Sequence, residues 1–323
     1  MKCIRFHENG GPEVLRVEDC DPAKPASGEA QIQHSAIGLN YIDVYDRTGL
    51  YPGELPSGLG REAAGVVVAL GRNTRGLRLG DRVAYVHSKP GAYCELRNVP
   101  ADRLVRVPKS ISDEQAAAIM LKGLTARSLL RRTYRVQRGD VVLVHAAAGG
   151  VGLILTQWAK ALGATVIGVV GSEAKAELAR RHGCRHVLIL GRDELIAGVR
   201  KVTRGEGVAV VYDSVGKDTF MASLDCLRPL GMMVSYGNAS GPPPAISPLE
   251  LSKRGSLYLT RPTLFSYISQ RAELDAAARE LFSVVRKGMV RVRIGQRYPL
   301  TEAAAAHRDL EARRTIGSTV LIP

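Results

Sequence analysis

Two hydrophobic rhythms divide the chain. Up to about residue 120, short apolar runs are separated by turn residues. GGPEVLRVEDCD reads as a turn leading into a strand, and EAQIQHSAIGLN as a strand with partial alternation. AAGVVVALG reads as a buried strand ending in glycine, and GDRVAYV as a strand after a Gly-Asp turn. Such spacing predicts a mostly antiparallel β barrel or sandwich. The stretch DEQAAAIMLKGLTARSLLRRTY predicts a helix with Ser112 as N-cap and acids in its first turn, interrupted at Gly123. From Val141 the rhythm becomes strict alternation. Strands over 141–145, 165–171 and 186–190 are each followed by helical sequence, over 151–162, 173–182 and 193–203. VAVVYDSVG, GMMVSYGN and SLYLT supply three more strands. Alternation of this kind predicts right-handed crossovers and a doubly wound parallel sheet, so the fold class is α/β. From about Thr260 a helix, a short strand pair, a small helix and the closing strand GSTVLIP follow, and this tail is expected to return to the N-terminal domain.

The junction between strand and helix at VVLVHAAAGGVG carries the first chemistry. In a strand–turn–helix context a Gly-x-Gly-x-x-Gly spacing indicates dinucleotide binding. Ala147 holds the first position, Gly149 the second and Gly152 the third, with Gly150 and Val151 between. A side chain at the second position would keep the backbone from a pyrophosphate. The third lets helix and strand pack closely, and the helix N-terminus faces the anion. The next strand ends Val170-Gly171-Ser172, without the acid that NAD-binding chains carry about 20 residues beyond the glycines to hold the ribose diol. Ser172 and Lys175 suit a 2′-phosphate instead, so NADPH is favoured over NADH. Glu173 is the counter-indication, and its place in the first helical turn offers another role. A solvated helix face is the plain alternative for Lys175.

Composition narrows the class. With 323 residues, 45% apolar and 24% charged, the chain has the size of about two domains and an ordinary globular balance. The N-terminus has no apolar signal core, and no run approaches the roughly 20 apolar residues of a membrane span. A soluble cytoplasmic protein is expected. Cys3, Cys20, Cys94, Cys184 and Cys226 are odd in number and scattered, which predicts no disulfide framework and suits a reducing compartment. A net charge of +14 fits either nucleic acid or anionic cofactors. The basic residues are spread along the chain, and aromatics, at 5%, do not alternate with them as single-strand-binding surfaces require.

The blocks GGPEVL (10–15), GLNYIDVYDRTGLYP (38–52), LPSGLGREAAGVV (55–67), GDRVAY (80–85), LKGLTA (121–126), HAAAGGVG (145–152), YDSVG (212–216), SYGNASG (235–241) and LTRPTL (259–264) stand in an order that resembles the zeta-crystallin-like quinone oxidoreductases of the medium-chain dehydrogenase/reductase superfamily. The closing EAAAAHRDLEAR and TIGSTVLIP extend the resemblance nearly end to end. It implies a GroES-like, β-rich catalytic domain over 1–120 and 261–323, with a Rossmann domain over 121–260. It also implies hydride transfer from NADPH to a quinone or enone.

Zinc relatives in the superfamily place a cysteine ligand where this chain has Asn40, and a histidine where it reads Gly60-Arg61-Glu62. The four-cysteine lobe of the structural zinc site is absent. No metal is expected.

By resemblance, Asn40, Asp43, Tyr45 and Tyr51 line the nicotinamide cleft, and Asn40 and Tyr45 also touch the cofactor. Tyr45 or Tyr51 would donate the hydrogen bond to the oxyanion, since a phenol stays protonated at neutral pH. Thr125, Gly149, Gly150, Val151, Gly152, Gly171, Ser172, Lys175, Ser214, Tyr236, Gly237, Asn238, Arg261 and Arg313 match cofactor-facing blocks. Arg192 stands in for a family tyrosine near Leu190. Local alternatives exist: Asn40 capping a turn, Asp43 pairing with Arg47, the tyrosines as packing, and Arg313 on a helix surface. His145 reads as structural. An enone or enoyl-thioester reductase is the competing enzyme, and single-stranded RNA binding the competing non-enzymatic reading. A homodimer through SLYLT is expected.

Overall fold

A computed structural model describes residues 1–191 and 193–323. The chain separates into two compact units: Met1–Leu124 with Ile268–Arg286 and Val292–Pro323, and Thr125–Tyr267 with Lys287–Arg291.

In the first unit, the strand Glu29–Leu39 is the hub. One edge pairs antiparallel with Glu62–Leu70 over almost its whole length. The other pairs first with Leu96–Pro100 and then, near Leu39, with the last strand of the chain, Ser318–Ile322. The sheet continues through Arg82–Val86 and Leu104–Arg106 on one side and Ile294–Pro299 on the other. Alternation along the hub strand is seen only in its first part; the run from Ala36 to Leu39 is buried throughout. That is why the sequence pattern is partial: period two survives only where one face meets water. Ile32, Ile37, Val67 and Tyr85 form the core with Leu300, Ala303 and Leu321 from the C-terminal segment.

Two sequence expectations fail in this unit. Gly123 does not interrupt the helix, which runs unbroken over Asp113–Ser128. A side chain at Gly123 would lie 2.5 Å from Leu281 Cδ1, so the glycine serves close packing against the helix Arg271–Arg286. The expectation of no disulfide is also corrected: Cys3 and Cys20 are bonded, with Cα atoms 6.3 Å apart. The strand Lys2–Phe6 pairs with Arg16–Asp19 in a register that sets Cys3 opposite Glu18, and this carries Cys20 alongside. A spacing of 17 residues does not reveal such a register. Cys94, Cys184 and Cys226 remain thiols, all buried.

The second unit is a six-stranded parallel sheet. Its order is His186–Ile189, Thr165–Val170, Val141–Val144, Val208–Asp213, Leu227–Ser235 and Tyr258–Thr260. Val208–Asp213 is buried at every residue, as a central parallel strand covered on both faces must be. Chain order reverses between Val141–Val144 and Val208–Asp213, the place where open α/β sheets take ligands at their carboxyl edge.

Candidate active site

In the first unit the site is built around one short helix, Tyr41–Arg47, which begins where the hub strand ends. Asn40 caps it. Its backbone N–H donates to Asp43 Oδ2 at 2.9 Å, one half of a capping box. The side-chain amide turns elsewhere and donates to Glu62 Oε1 at 2.8 Å. Glu62 is fully buried and also accepts from Leu121 N (2.5 Å) and Lys122 Nζ (2.9 Å). A buried carboxylate is stable only with its lone pairs occupied in this way. The result is an amide held in a fixed plane.

Asp43 is equally buried and accepts from Tyr93 Oη at 2.9 Å. Its other oxygen, Oδ1, has no hydrogen-bond partner among the described residues. Burial raises its pKa to about 7, against the pull of the Asn40 N–H. Behind it runs a chain of contacts whose direction is forced. Arg47, fully buried, is only a donor, so at 3.2 Å it makes His307 Nδ1 an acceptor. His307 Nε2 then carries the hydrogen and donates to Tyr93 Oη at 3.2 Å, and Tyr93 donates to Asp43. Burial first, then Arg47, drops His307 to a pKa of about 3, which keeps the ring neutral as this chain needs. Arg47 ends on Glu311 at 2.8 Å rather than on Asp43.

The tyrosines expected to face substrate come together. Tyr45 and Tyr51 meet edge to face at 5.2 Å, and Tyr41 leans on Tyr45 at 5.8 Å. Tyr51 N donates to Tyr45 O at 3.1 Å, so the turn after the helix folds the second phenol back onto the first. Asp46, on the same helix, takes a bidentate grip from Arg61 at 3.0 and 2.7 Å. Arg313 follows the end of the helix Ala303–Glu311 with φ +59°. It is near enough to Tyr41 to oppose the rise in that phenol's pKa, which burial and Glu311 drive.

In the second unit the glycine turn follows Val141–Val144 and opens the helix Gly150–Ala161, with Gly149 as N-cap. The two key glycines differ in kind. A Cβ on Gly152 would overlap the Ala146 carbonyl oxygen and lie 2.8 Å from Ala147 Cα, so the fold itself demands glycine there. A Cβ on Gly149 would meet only Ala146 O, at 3.2 Å. That contact is tight, but looser than those at Gly152, so the fold's own demand for glycine is weaker at Gly149. Gly171, at the end of the next strand, has nothing within 4 Å of its missing Cβ. Ser172 caps the helix Glu173–Arg181 by accepting from Lys175 N, and Glu173 reaches Arg180 at 3.0 Å. The carboxylate that argued for a ribose diol is thus drawn along its own helix.

Across the chain-order reversal, Asp213 ends its strand fully buried. It accepts from Val215 N (2.7 Å), Gly216 N (3.1 Å) and Thr219 Oγ1 (2.7 Å), which shapes the turn that presents Ser214. Gly237 lies backbone to backbone against Ser214, where a Cβ would be 2.8 Å from Ser214 Cα. Tyr236 N donates to Asp213 O, and Asn238 follows in the same turn. Arg261 donates to Ser235 O at 2.8 Å. His145 is buried with Nε2 on Ser223 Oγ at 2.8 Å, and burial lowers its pKa, as befits a structural residue. Thr125 sits within the helix Asp113–Ser128, and Val151 in the first turn of the helix that Gly150 opens. Arg192 lies outside the described residues.

Sequence reading missed Glu62, Lys122, Asp46, Tyr93, His307 and Asp213. The helix itself had a signal, Asn40 followed by Asp43 three residues later. Glu62, Lys122, Tyr93 and His307 meet only over long separations and had none, and Asp213 shapes its own turn without a pattern that marks it. Among the described residues no group of three or more His, Cys, Asp or Glu side chains is arranged to hold a metal ion.

Comparisons with known proteins agree with this geometry. Residues 26–109 match the alcohol dehydrogenase GroES-like domain, and residues 150–283 match the zinc-binding dehydrogenase family. The chain is 52% identical over 323 residues to quinone oxidoreductase of Pseudomonas aeruginosa, covering 100% of this chain and 99% of that one. It is 45% identical to 2-haloacrylate reductase of a Burkholderia species, with 98% of each covered. The crystal structure of Escherichia coli quinone oxidoreductase complexed with NADPH superimposes with a TM-score of 0.98 at 49% identity over 100% of both chains. With a GroES-like first unit, a Rossmann second unit and end-to-end identity above half, the chain belongs to the zeta-crystallin-like quinone oxidoreductases of the medium-chain dehydrogenase/reductase superfamily.

Proposed function

We propose that this protein is an NADPH-dependent oxidoreductase that reduces a quinone, or a conjugated enone, without a metal. The observation that carries the reading is the pair of glycines at the carboxyl edge of the parallel sheet. Gly152 is required by packing, whereas Gly149 is held less tightly by the fold and, lacking a side chain, suits close approach of a pyrophosphate. Ser172 and Lys175 at the end of the adjacent strand suit the 2′-phosphate, and Gly171, Ser214, Tyr236, Gly237, Asn238 and Arg261 line the same carboxyl edge. Likeness to the Escherichia coli enzyme complexed with NADPH supports this cofactor. Bound NADPH supplies the hydride.

The chain's own part is to place and polarise the acceptor. Tyr45 or Tyr51 donates a hydrogen bond to the oxyanion that forms on it. Asn40 and Asp43 fix the start of the helix that carries Tyr45, and Arg313 adds positive charge near Tyr41. We assign the first unit to the substrate and the second to the cofactor. A catalytic cation is disfavoured by the donor set itself: Asn40 is committed to Glu62, and Arg61 brings a fixed positive charge, held by Asp46.

The test is oxidation of NADPH against NADH, followed at 340 nm with benzoquinone, naphthoquinones and a simple enone, in the wild type and Lys175→Ala. Quinone-dependent turnover with NADPH preferred, and a KM for NADPH raised about tenfold by the substitution while NADH is unaffected, is the expected result for a lost charge-assisted contact. Turnover with NADH alone overturns the cofactor assignment. Turnover of the enone alone favours the second reading, enone reduction, which the likeness to 2-haloacrylate reductase supports.

The proposal extends to a cytoplasmic homodimer. Tyr258 and Leu259 lie exposed on the edge strand Tyr258–Thr260, an open edge that pairing with a second copy would cover. Sedimentation at the mass of one chain would remove it.

A further inference from the structure

The first unit carries a second concavity that none of the candidate site residues lines. It has a volume of about 820 Å³, the size of sites that hold small ligands. One wall is the helix Arg271–Arg286, which offers Arg271, Asp275, Arg279, Phe282, Ser283 and Arg286. These positions recur every three to four residues, so they form one face of the helix. The segment Asn73–Leu77, Arg106 and the buried Leu104 complete the lining.

The charges on these walls are not evenly matched. Arg271 is taken by Asp275 at 2.9 Å and by the Leu104 carbonyl at 2.8 Å. Arg106 is taken by Asp81 at 3.0 Å and the Gly76 carbonyl at 2.8 Å. Asp102 is held by Arg103. Arg75, Arg279 and Arg286 line the groove and make no ion pair among the described residues. The groove therefore presents three uncommitted guanidinium groups, two from the helix and one from the segment Asn73–Leu77. Arg279 and Arg286 stand two turns apart, about 10 Å along the helix axis. Guanidinium is the side chain best matched to phosphate oxygens.

We propose that this groove binds a small polyphosphate, an inorganic triphosphate or the triphosphate of a nucleotide, at a site separate from the residues assigned to NADPH and acceptor. The three arginines clasp the phosphate chain, and Asn73 and Thr74 offer hydrogen bonds at its rim.

Isothermal titration of the full chain, saturated with NADPH, with tripolyphosphate and separately with ATP tests this. Saturable binding is expected at low ionic strength, weakening as salt screens the exposed charges. Arg279→Glu with Arg286→Glu should weaken it more than tenfold, while quinone-dependent NADPH oxidation stays at the wild-type rate. Arg75→Glu, in the segment Asn73–Leu77, should weaken binding independently and guards against misfolding of the helix variant. Equal affinity for the two ligands assigns the site to the phosphate chain alone. An ATP affinity at least tenfold higher assigns it to the nucleotide. Absence of binding, binding unchanged in all variants, or binding abolished by NADPH overturns the proposal. So does capture of single-stranded RNA with no affinity for either triphosphate.

Discussion

Tyr45 and Tyr51 touch edge to face, yet only one phenol can lie closest to the acceptor oxygen. Tyr45→Phe and Tyr51→Phe are therefore expected to differ. The one that donates should lose roughly 100-fold in kcat with little change in the KM for NADPH, because an oxyanion donor acts mainly in the transition state. Unchanged kcat in both variants removes phenol donation from the mechanism.

Asp43 gives a prediction in the pH dimension. Its folded pKa, about 7, lies above that of an unfolded carboxyl, so the folded state holds the proton more tightly. The contribution to stability is then fully present below about pH 4 and is lost as pH rises toward 7. Asp43→Asn keeps an acceptor for Asn40 N–H and Tyr93 but cannot ionise. Chemical denaturation from pH 4.5 to 7.5 should show the wild type falling relative to the variant. Parallel curves would mean that Asp43 titrates normally. At this scale legibility was uneven. Asn40, Asp43 and the tyrosines stand in a block that the family resemblance marks, whereas Glu62 and Lys122 are ordinary charged residues until the fold brings them together 60 positions apart.

At the level of elements, the glycine turn separates two demands that a sequence pattern merges. Gly152→Ala must push the helix Gly150–Ala161 off its strand and should cost about 1–3 kcal/mol of stability, as overpacking does. Gly149→Ala, whose Cβ meets only Ala146 O at 3.2 Å, should lower the melting temperature less than Gly152→Ala and weaken NADPH binding by tenfold or more. Calorimetry beside a fluorescence titration reads both. Equal loss of stability in the two would deny Gly149 its ligand role. The parallel sheet was readable because its strands are short, β-branched and separated by helices with clear stops. The helix Tyr41–Arg47 escaped because seven residues make under two turns, too short for a period to stand out, and left only its cap, Asn40 with Asp43, as a mark. Gly123 misled for a related reason. Glycine weakens a helix locally, but here tertiary packing against Leu281 decides.

For the whole molecule, +14 charges act on an anionic cofactor from beyond contact distance. The second-order rate of NADPH capture should fall as ionic strength rises, more steeply than for the less charged NADH. A stopped-flow series with equal salt dependence for both would deny the field any part in capture. Charge of this size was plain in the sequence. Its local imbalance was not, because pairs such as Arg106 with Asp81 form only across the fold.

The strand Ser318–Ile322 zips onto Glu29–Leu39, while the parallel sheet lies on an uninterrupted stretch in the middle of the chain. On a ribosome these two facts impose an order of events. The middle can collapse as soon as it emerges, whereas the strands made before it wait beside a partly unpaired edge until Ser318–Ile322 emerges. The unit whose first strands are made before the parallel sheet is thus completed after it, and those strands are the ones in need of shielding during translation.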